Sequence, residues 1–380
     1  MKKNQKITVI SVLVLIGLAT TWLFYNQATG KFVSDLTSHI ANALNKNSPS
    51  YSLTSIIYNL LYNYVGGKLA IAVFLSIVTI LTIDVTKKVL EYYMKSENEF
   101  LIWIYAILLN FAIAIYVPFI YPRWNVGVQE GNEWHNSTYI CMKLLGMIAL
   151  LIYFKIEKKY LKKIEIPEYI LFCLILILVN SVKPNFIVVF APTMLIFLII
   201  DFFKNIKNKK SIMNIIIFGC AVLISLPVLI FQSCALYGED SESGIAISFL
   251  ALLKHYHKYP VFSIIQSAAF PIFIILTNLK AVIKERKYLF IVVLNIVALI
   301  EYLFLIETGE RAWDANFSWG YSFSLFMAFL ISVTILYNSE KEERKYKETY
   351  FTIGYTLLAL HILIGINFFI KLLMGFNYTR

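Results

Sequence analysis

Asp35 and His39 stand four residues apart in FVSDLTSHI, so on a helix they share one face. A carboxylate placed there can take a proton from an attacking hydroxyl, with the imidazole orienting it or holding substrate. The plainer reading is the solvated side of an amphipathic helix. Two further stretches concentrate similar groups. YPRWNVGVQEGNEWHNSTY carries Arg123, Trp124, Glu130, Glu133, Trp134, His135 and Asn136, and ETGERAWDANFSWGY carries Glu307, Glu310, Arg311, Trp313, Asp314, Asn316 and Trp319. Indole faces stack on sugar rings, carboxylates and amides bind hydroxyls, and guanidinium pairs with phosphate. Four of the six tryptophans lie in these two stretches. Anchoring at a membrane interface accounts for one or two of them, and less well for the charges beside them. Lys183, in SVKPNF, either snorkels to a surface or supplies a point charge for a phosphate.

The elements that must position these groups are membrane spans. Of the 380 residues 59% are hydrophobic and 15% charged, against about 25% charged in a soluble domain. Apolar runs of 17 to 20 residues recur, each able to cross a bilayer core as a helix, and eleven spans are predicted at 7–25, 68–86, 100–118, 137–154, 168–182, 186–203, 212–231, 262–279, 288–306, 320–337 and 351–370. The first follows MKKNQK and resembles a signal peptide, but it is too long for an ordinary h-region and lacks an A-x-A-like site, so it is expected to be retained. The fold class expected is all-α: a polytopic transmembrane helix bundle forming one integral membrane domain over 1–380.

Charge placement orients it. The N-tail and the segments 87–99, 155–167, 204–211, 280–287 and 338–350 hold 23 of the 34 lysines and arginines. By the positive-inside rule these face the cytoplasm, which puts a multi-pass chain in the cell membrane with its N-terminus inside and its C-terminus outside. Basic residues clustered between apolar runs argue for lipid as partner and against nucleic acid. The strongly basic segments flanking 168–203 require the chain to cross and return, and Pro184 supplies the turn.

The predicted extracytoplasmic segments are 26–67, 119–136, 232–261 and 307–319. In the first, Leu36, Ile40 and Leu44 repeat at helical spacing with Asp35, His39 and Asn42 elsewhere, and Ser34 is a candidate N-cap. Leu53, Ile56, Ile57, Leu60, Leu61 and Tyr64 repeat the pattern, predicting two amphipathic helices in the interface. Lys143, Glu301 and His361 lie within spans, where a charge costs about 2.5–3.5 kcal/mol, so they should face the bundle interior or a wet cavity. His255 and His257 point apart on a helix and make a poor metal pair. Cys141, Cys173, Cys220 and Cys234 lack ligand spacing. No internal repeat is visible.

With Asp35 soon after the first span, on a helix predicted to lie along the interface, this layout resembles the GT-C class of integral membrane glycosyltransferases. The usual DD, DE or ED pair is replaced by Asp35-Leu36, so no cofactor is required by the resemblance and a divalent metal is optional. EWHNSTY, VKPNF and NFSWGY look like recurring signatures of bacterial membrane proteins of this general type. The resemblance implies a polyprenyl-phosphate-linked sugar donor and a cell-envelope glycan or lipid acceptor. It implies Asp35 as the catalytic base, and Arg311 with Lys183 or Arg123 facing the departing phosphate. Trp134, Trp313 and His135 would shape the sugar site, with His39, Trp124, Glu130, Glu133, Asn136, Glu307, Asp314, Asn316 and Trp319 among the substrate-binding candidates. Two alternatives stand beside it: a polysaccharide repeat-unit polymerase or ligase, and a lipid-linked-sugar flippase or transporter.

Overall fold

The computed structural model describes residues 1–45, 50–122, 124, 133–237, 244–341 and 343–377. They are overwhelmingly helical. In chain order the helices are α1 (Lys3–Ala28), α2 (Leu36–Leu44), α3 (Leu53–Leu61), α4 (Gly67–Tyr93), α5 (Glu99–Leu109), α6 (Ser137–Glu157), α7 (Ile166–Val182) and α8 (Asn185–Lys204). They continue as α9 (Lys209–Leu223), α10 (Leu226–Tyr237), α11 (Ala251–Tyr256), α12 (Pro260–Thr277), α13 (Leu279–Lys284), α14 (Arg286–Phe304), α15 (Ser318–Asn338) and α16 (Lys347–Leu373). The strands β1 (Ile245–Ile247) and β2 (Leu305–Glu307) pair antiparallel with Ile245 opposite Glu307, a ribbon the apolar pattern did not predict. Among the described residues nine helical segments are long and apolar enough to cross a membrane, and α5 and α7 are shorter apolar helices.

Side chains close the orphan N–H groups at helix starts. Asn98 accepts from Leu101 N, Asn136 from Tyr139 N and Asn208 from Ser211 N. The bundle is built around α15, whose apolar window is wholly buried and which packs on α4, α8, α12 and α14. Gly320 allows the approach to α8, since a Cβ there would stand 2.6 Å from Val189. At the rim α1 packs on α4, joined by Thr20 and Ser76 hydroxyls 2.8 Å apart, while Leu15, Leu18 and Trp22 remain exposed, as suits a surface bathed in lipid.

The expected third span departs from a continuous helix. After α5 the chain runs on as non-helical backbone from Ala112 to Val117. In lipid such backbone persists only where the protein satisfies it. Ile113 N–H donates to the His361 carbonyl at 3.3 Å, and the Ile113 carbonyl lies 2.5 Å from His361 Nδ1. Ile115 exchanges two bonds of 2.9 Å with the backbone and side chain of Gln266. Phe270 N–H points at His361 Nε2 at 3.4 Å, which leaves Nδ1 as the donor to Ile113. His361 is therefore a buried backbone clamp, consistent with its expected interior position. The expected seventh span is likewise two helices, α9 and α10, with a break before Leu226.

The ends of the bundle are chemically distinct. At one, Arg286 pairs with Asp201, Nη1 to Oδ1 at 2.8 Å and Nη2 to Oδ2 at 2.5 Å, and also binds Glu157, while Tyr160 donates to Asp201. Lys87 binds Glu91 and Glu99 at 2.7 and 3.4 Å at that end too. At the other end α2 and α3 cover the bundle. α2 buries Leu36 and Ile40 and leaves Asp35 half exposed, matching its predicted faces. α3 buries Thr54 and Tyr58 and exposes Ile56 and Leu60. Ser34 accepts from Leu36 N at 3.0 Å, although the residue in the N-cap position is Asp35.

Candidate functional site

The start of α6 is where the site is assembled. Asn136 caps the helix by accepting from Tyr139 N at 3.0 Å, and its Oδ1 also accepts from the Thr138 hydroxyl at 2.8 Å. The bond from Tyr139 N–H, an obligate donor, identifies that atom as oxygen and turns the amide nitrogen toward Asp35, where Nδ2 donates to Oδ2 at 3.2 Å. On the far side Lys183 Nζ donates to the Thr138 hydroxyl at 3.3 Å. A hydrogen-bonded chain thus runs from the ammonium of Lys183 through Thr138 and Asn136 to the carboxylate of Asp35. The backbone reinforces it: Asp35 N–H and the Ser34 hydroxyl donate to the His135 carbonyl at 3.2 and 3.0 Å. His135 Nε2 stands 3.6 Å from Asp35 Oδ2, an electrostatic rather than hydrogen-bonded separation.

A second arm hangs from the same turn. Asn185, two residues after Lys183, donates to the Asn316 carbonyl at 2.7 Å. The Asn316 amide donates to Glu307 Oε2 at 2.5 Å, and Tyr237 donates to Glu307 Oε1 at 2.5 Å. Arg311 Nε reaches Glu307 Oε1 at 3.3 Å and Asp314 Oδ2 at 3.8 Å. Buried Glu307 thereby fixes the loop that carries Arg311. Trp319 floors both arms: Lys183 Nζ lies 5.4 Å from its ring, and the rings of His135 and Tyr139 lie at 5.3 and 4.8 Å.

The electrostatics tie the arms into one cluster. Burial pushes the Lys183 ammonium down to about 8, with Asp35, Glu307 and Asp314 opposing the fall and Arg311 adding to it. Burial pushes His39 down to about 4, reinforced by Lys183, so the ring is neutral at pH 7. Its Nε2 is buried without a hydrogen-bond partner among the described residues. Burial also opposes the charge of Arg311, but Glu307 and Asp314 more than offset it and raise its pKa. Burial raises Asp314, against the pull of Arg311. The result is a cationic pair, a half-exposed carboxylate and a neutral imidazole from segments distant in sequence.

The structure therefore brings together Asp35, His39, His135, Asn136, Lys183, Glu307, Arg311, Asp314, Asn316 and Trp319. Glu133 is instead engaged by Lys143 at 2.6 Å, whose ammonium also lies 3.6 Å from the Phe326 ring. Trp134 is buried against Phe111 and Phe369 as core. Trp124 stacks on Tyr116 at 4.0 Å and packs with Phe368 beside α16. Trp313 stacks on His255, while His257 packs at a tilt against Tyr121, so the two histidines part as their spacing predicts. Arg123 and Glu130 lie outside the described residues. Thr138, Asn185 and Tyr237 complete the site and were not singled out by sequence, although Thr138 and Asn185 fall inside EWHNSTY and VKPNF. Among the described residues no three His, Cys, Asp or Glu side chains converge to hold a metal ion.

The chain matches no family model, no curated protein and no solved structure.

Proposed function

We propose that this protein is a membrane glycosyltransferase that moves a sugar from a polyprenyl-phosphate-linked donor to a cell-envelope acceptor on the extracytoplasmic face. The observation that carries the reading is the hydrogen-bonded chain from Lys183 to Asp35. It holds a carboxylate and a buried cation in fixed relation, with Arg311 beside them, at one end of an apolar helical bundle. In the reaction the acceptor hydroxyl gives its proton to Asp35 as its oxygen bonds to the anomeric carbon. The bond from that carbon to the phosphate oxygen breaks, and the electron pair leaves on polyprenyl phosphate. Lys183 and Arg311 face that charge in a setting where water competes little. Neutral His39, whose buried Nε2 has no hydrogen-bond partner among the described residues, is suited to a sugar hydroxyl.

The lysine-rich segments gather at the opposite end, with Lys87 and Arg286, which supports placing that end in the cytosol. In this orientation α2 and α3 lie along the outer interface, exposing Ile56 and Leu60 to lipid. A repeat-unit polymerase would use the same groups and differ in making a ladder of products.

One feature favours transport instead: the break in the third span, since transporters bind cargo at broken helices. Here the carbonyls of Ile113 and Ile115 are already taken by His361 and Gln266, which leaves them unsuited to cargo. Reconstituted protein supplied with a radiolabelled polyprenyl-phosphate sugar and an acceptor decides the matter. Label in a new glycosidic bond supports transfer; label that only changes leaflet overturns it in favour of a flippase.

A further inference from the structure

Trp313 is the one indole of the two polar loops that is substantially exposed and adjoins the cluster. His255 covers one face, with ring centroids 4.1 Å apart and planes 13° from parallel. Among the described residues Trp313 nevertheless keeps 45% of its surface exposed. The ring is not a loose surface side chain. Tyr256, next to His255 at the end of α11, donates its hydroxyl to the Trp313 carbonyl. On the other side Asp314 N–H donates to the Arg311 carbonyl at 3.0 Å, and Ala315 adopts φ 53, a left-handed conformation that turns the chain sharply back toward Asn316. Asp314 then presents a half-exposed carboxylate beside the indole, within electrostatic reach of Asp35 and Lys183.

We infer that the Trp313–His255 pair and Asp314 form a saccharide-binding shelf that receives the acceptor as a glycan. This rests on the transferase reading above and narrows its acceptor to a sugar chain. The chemistry is that of carbohydrate recognition. A rigid aromatic face takes the apolar C–H side of a pyranose at little entropic cost, and an adjoining carboxylate accepts from ring hydroxyls. A lipid acceptor needs neither. The shelf adjoins Arg311 on the same loop, so a glycan laid across it extends toward Asp35.

The test uses full-length protein in lipid nanodiscs and two probes. One is polyprenyl phosphate; the other is the oligosaccharide mixture released by mild hydrolysis from the envelope of the cell that makes this protein. Calorimetry and saturation-transfer NMR read binding. The expectation is that wild type binds both, that Trp313→Ala weakens oligosaccharide binding about tenfold or more, and that Trp313→Tyr largely restores it, a tenfold loss corresponding to about 1.4 kcal/mol. Polyprenyl phosphate binding should be unchanged in both variants. Equal oligosaccharide binding by wild type and Trp313→Ala overturns the shelf, including the case where the variant only lowers membrane yield, as an interfacial anchor would. Polyprenyl phosphate bound by wild type without any oligosaccharide also overturns it and leaves the transferase reading standing. Binding of neither probe removes both.

Discussion

The amide of Asn136 donates to Asp35 Oδ2 at 3.2 Å across 101 residues of chain. Because the amide oxygen is held by Tyr139 N and the Thr138 hydroxyl, the capped start of α6 sets the direction of a side chain on α2's approach. The same cap, through Thr138, reaches Lys183 at the turn between α7 and α8. Helix capping and site assembly are one arrangement.

Glu133 is held by the buried ammonium of Lys143, 2.6 Å away. Glu133→Gln is expected to destabilise the protein by about 3–5 kcal/mol, since it strands a buried ammonium. The double variant Glu133→Gln with Lys143→Met should recover much of that loss. Thermal unfolding in detergent reads both, and donor KM of the protein that remains folded should stay near wild type. A selective rise in KM would return Glu133 to the site.

Lys183 gives the site a pH dependence. It is cationic below about 8 and neutral above, so affinity for polyprenyl phosphate should fall as pH rises through that value. Proton linkage on stability has the opposite sign. The unfolded lysine holds its proton to about 10.4, so between about 8 and that value the unfolded state binds more protons and this group's contribution to stability rises with pH. Titrating carrier binding from pH 6 to pH 10 in wild type and Lys183→Met separates the effects, and the variant should show weaker binding without the inflection.

Gly365 permits the break in the third span. A Cβ there would lie 1.6 Å from the Phe111 carbonyl oxygen, so Gly365→Ala must move backbone. A loss of about 1–3 kcal/mol or more is expected, read as a lower melting temperature, with Ala substituted at exposed Leu363 as a benign control.

Orientation is open to direct measurement. Cysteines introduced at Lys162 and Lys207, at the lysine-rich end, should resist a membrane-impermeant maleimide in intact cells and react after permeabilisation. A cysteine at Thr29, beside the site, should react in intact cells. The reverse pattern would turn the site toward the cytosol and remove the account of its donor.

Much of this was legible in the sequence, for identifiable reasons. Leu36, Ile40 and Leu44 repeat at helical spacing, and α2 buries the first two. Asp35, His135, Lys183 and Arg311 stand out by residue type and position, and they lie close together in the fold. The break after α5 was not legible, because hydropathy is the same for a helix and for an extended apolar run; only the distant His361 and Gln266 mark where backbone groups find partners. Nor could residue type separate the tryptophans. Trp319 floors the site, Trp134 and Trp124 pack elsewhere, and the difference lies in which helices their loops rest on. Tyr237 was invisible since only the pairing of β1 with β2 signals that α10 ends near Glu307.

In the proposed reaction Asp35 removes the acceptor proton at a site whose carrier-binding groups lie on other segments. The decisive experiment is sugar transfer by Asp35→Asn, with carrier binding measured on the same preparation. Loss of a general base predicts a fall in kcat of about 10²–10⁴-fold, with polyprenyl phosphate still bound and the melting temperature near wild type, since the amide keeps the shape of a half-exposed side chain. Sugar transfer by Asp35→Asn at close to the wild-type rate would mean that Asp35 is not the base.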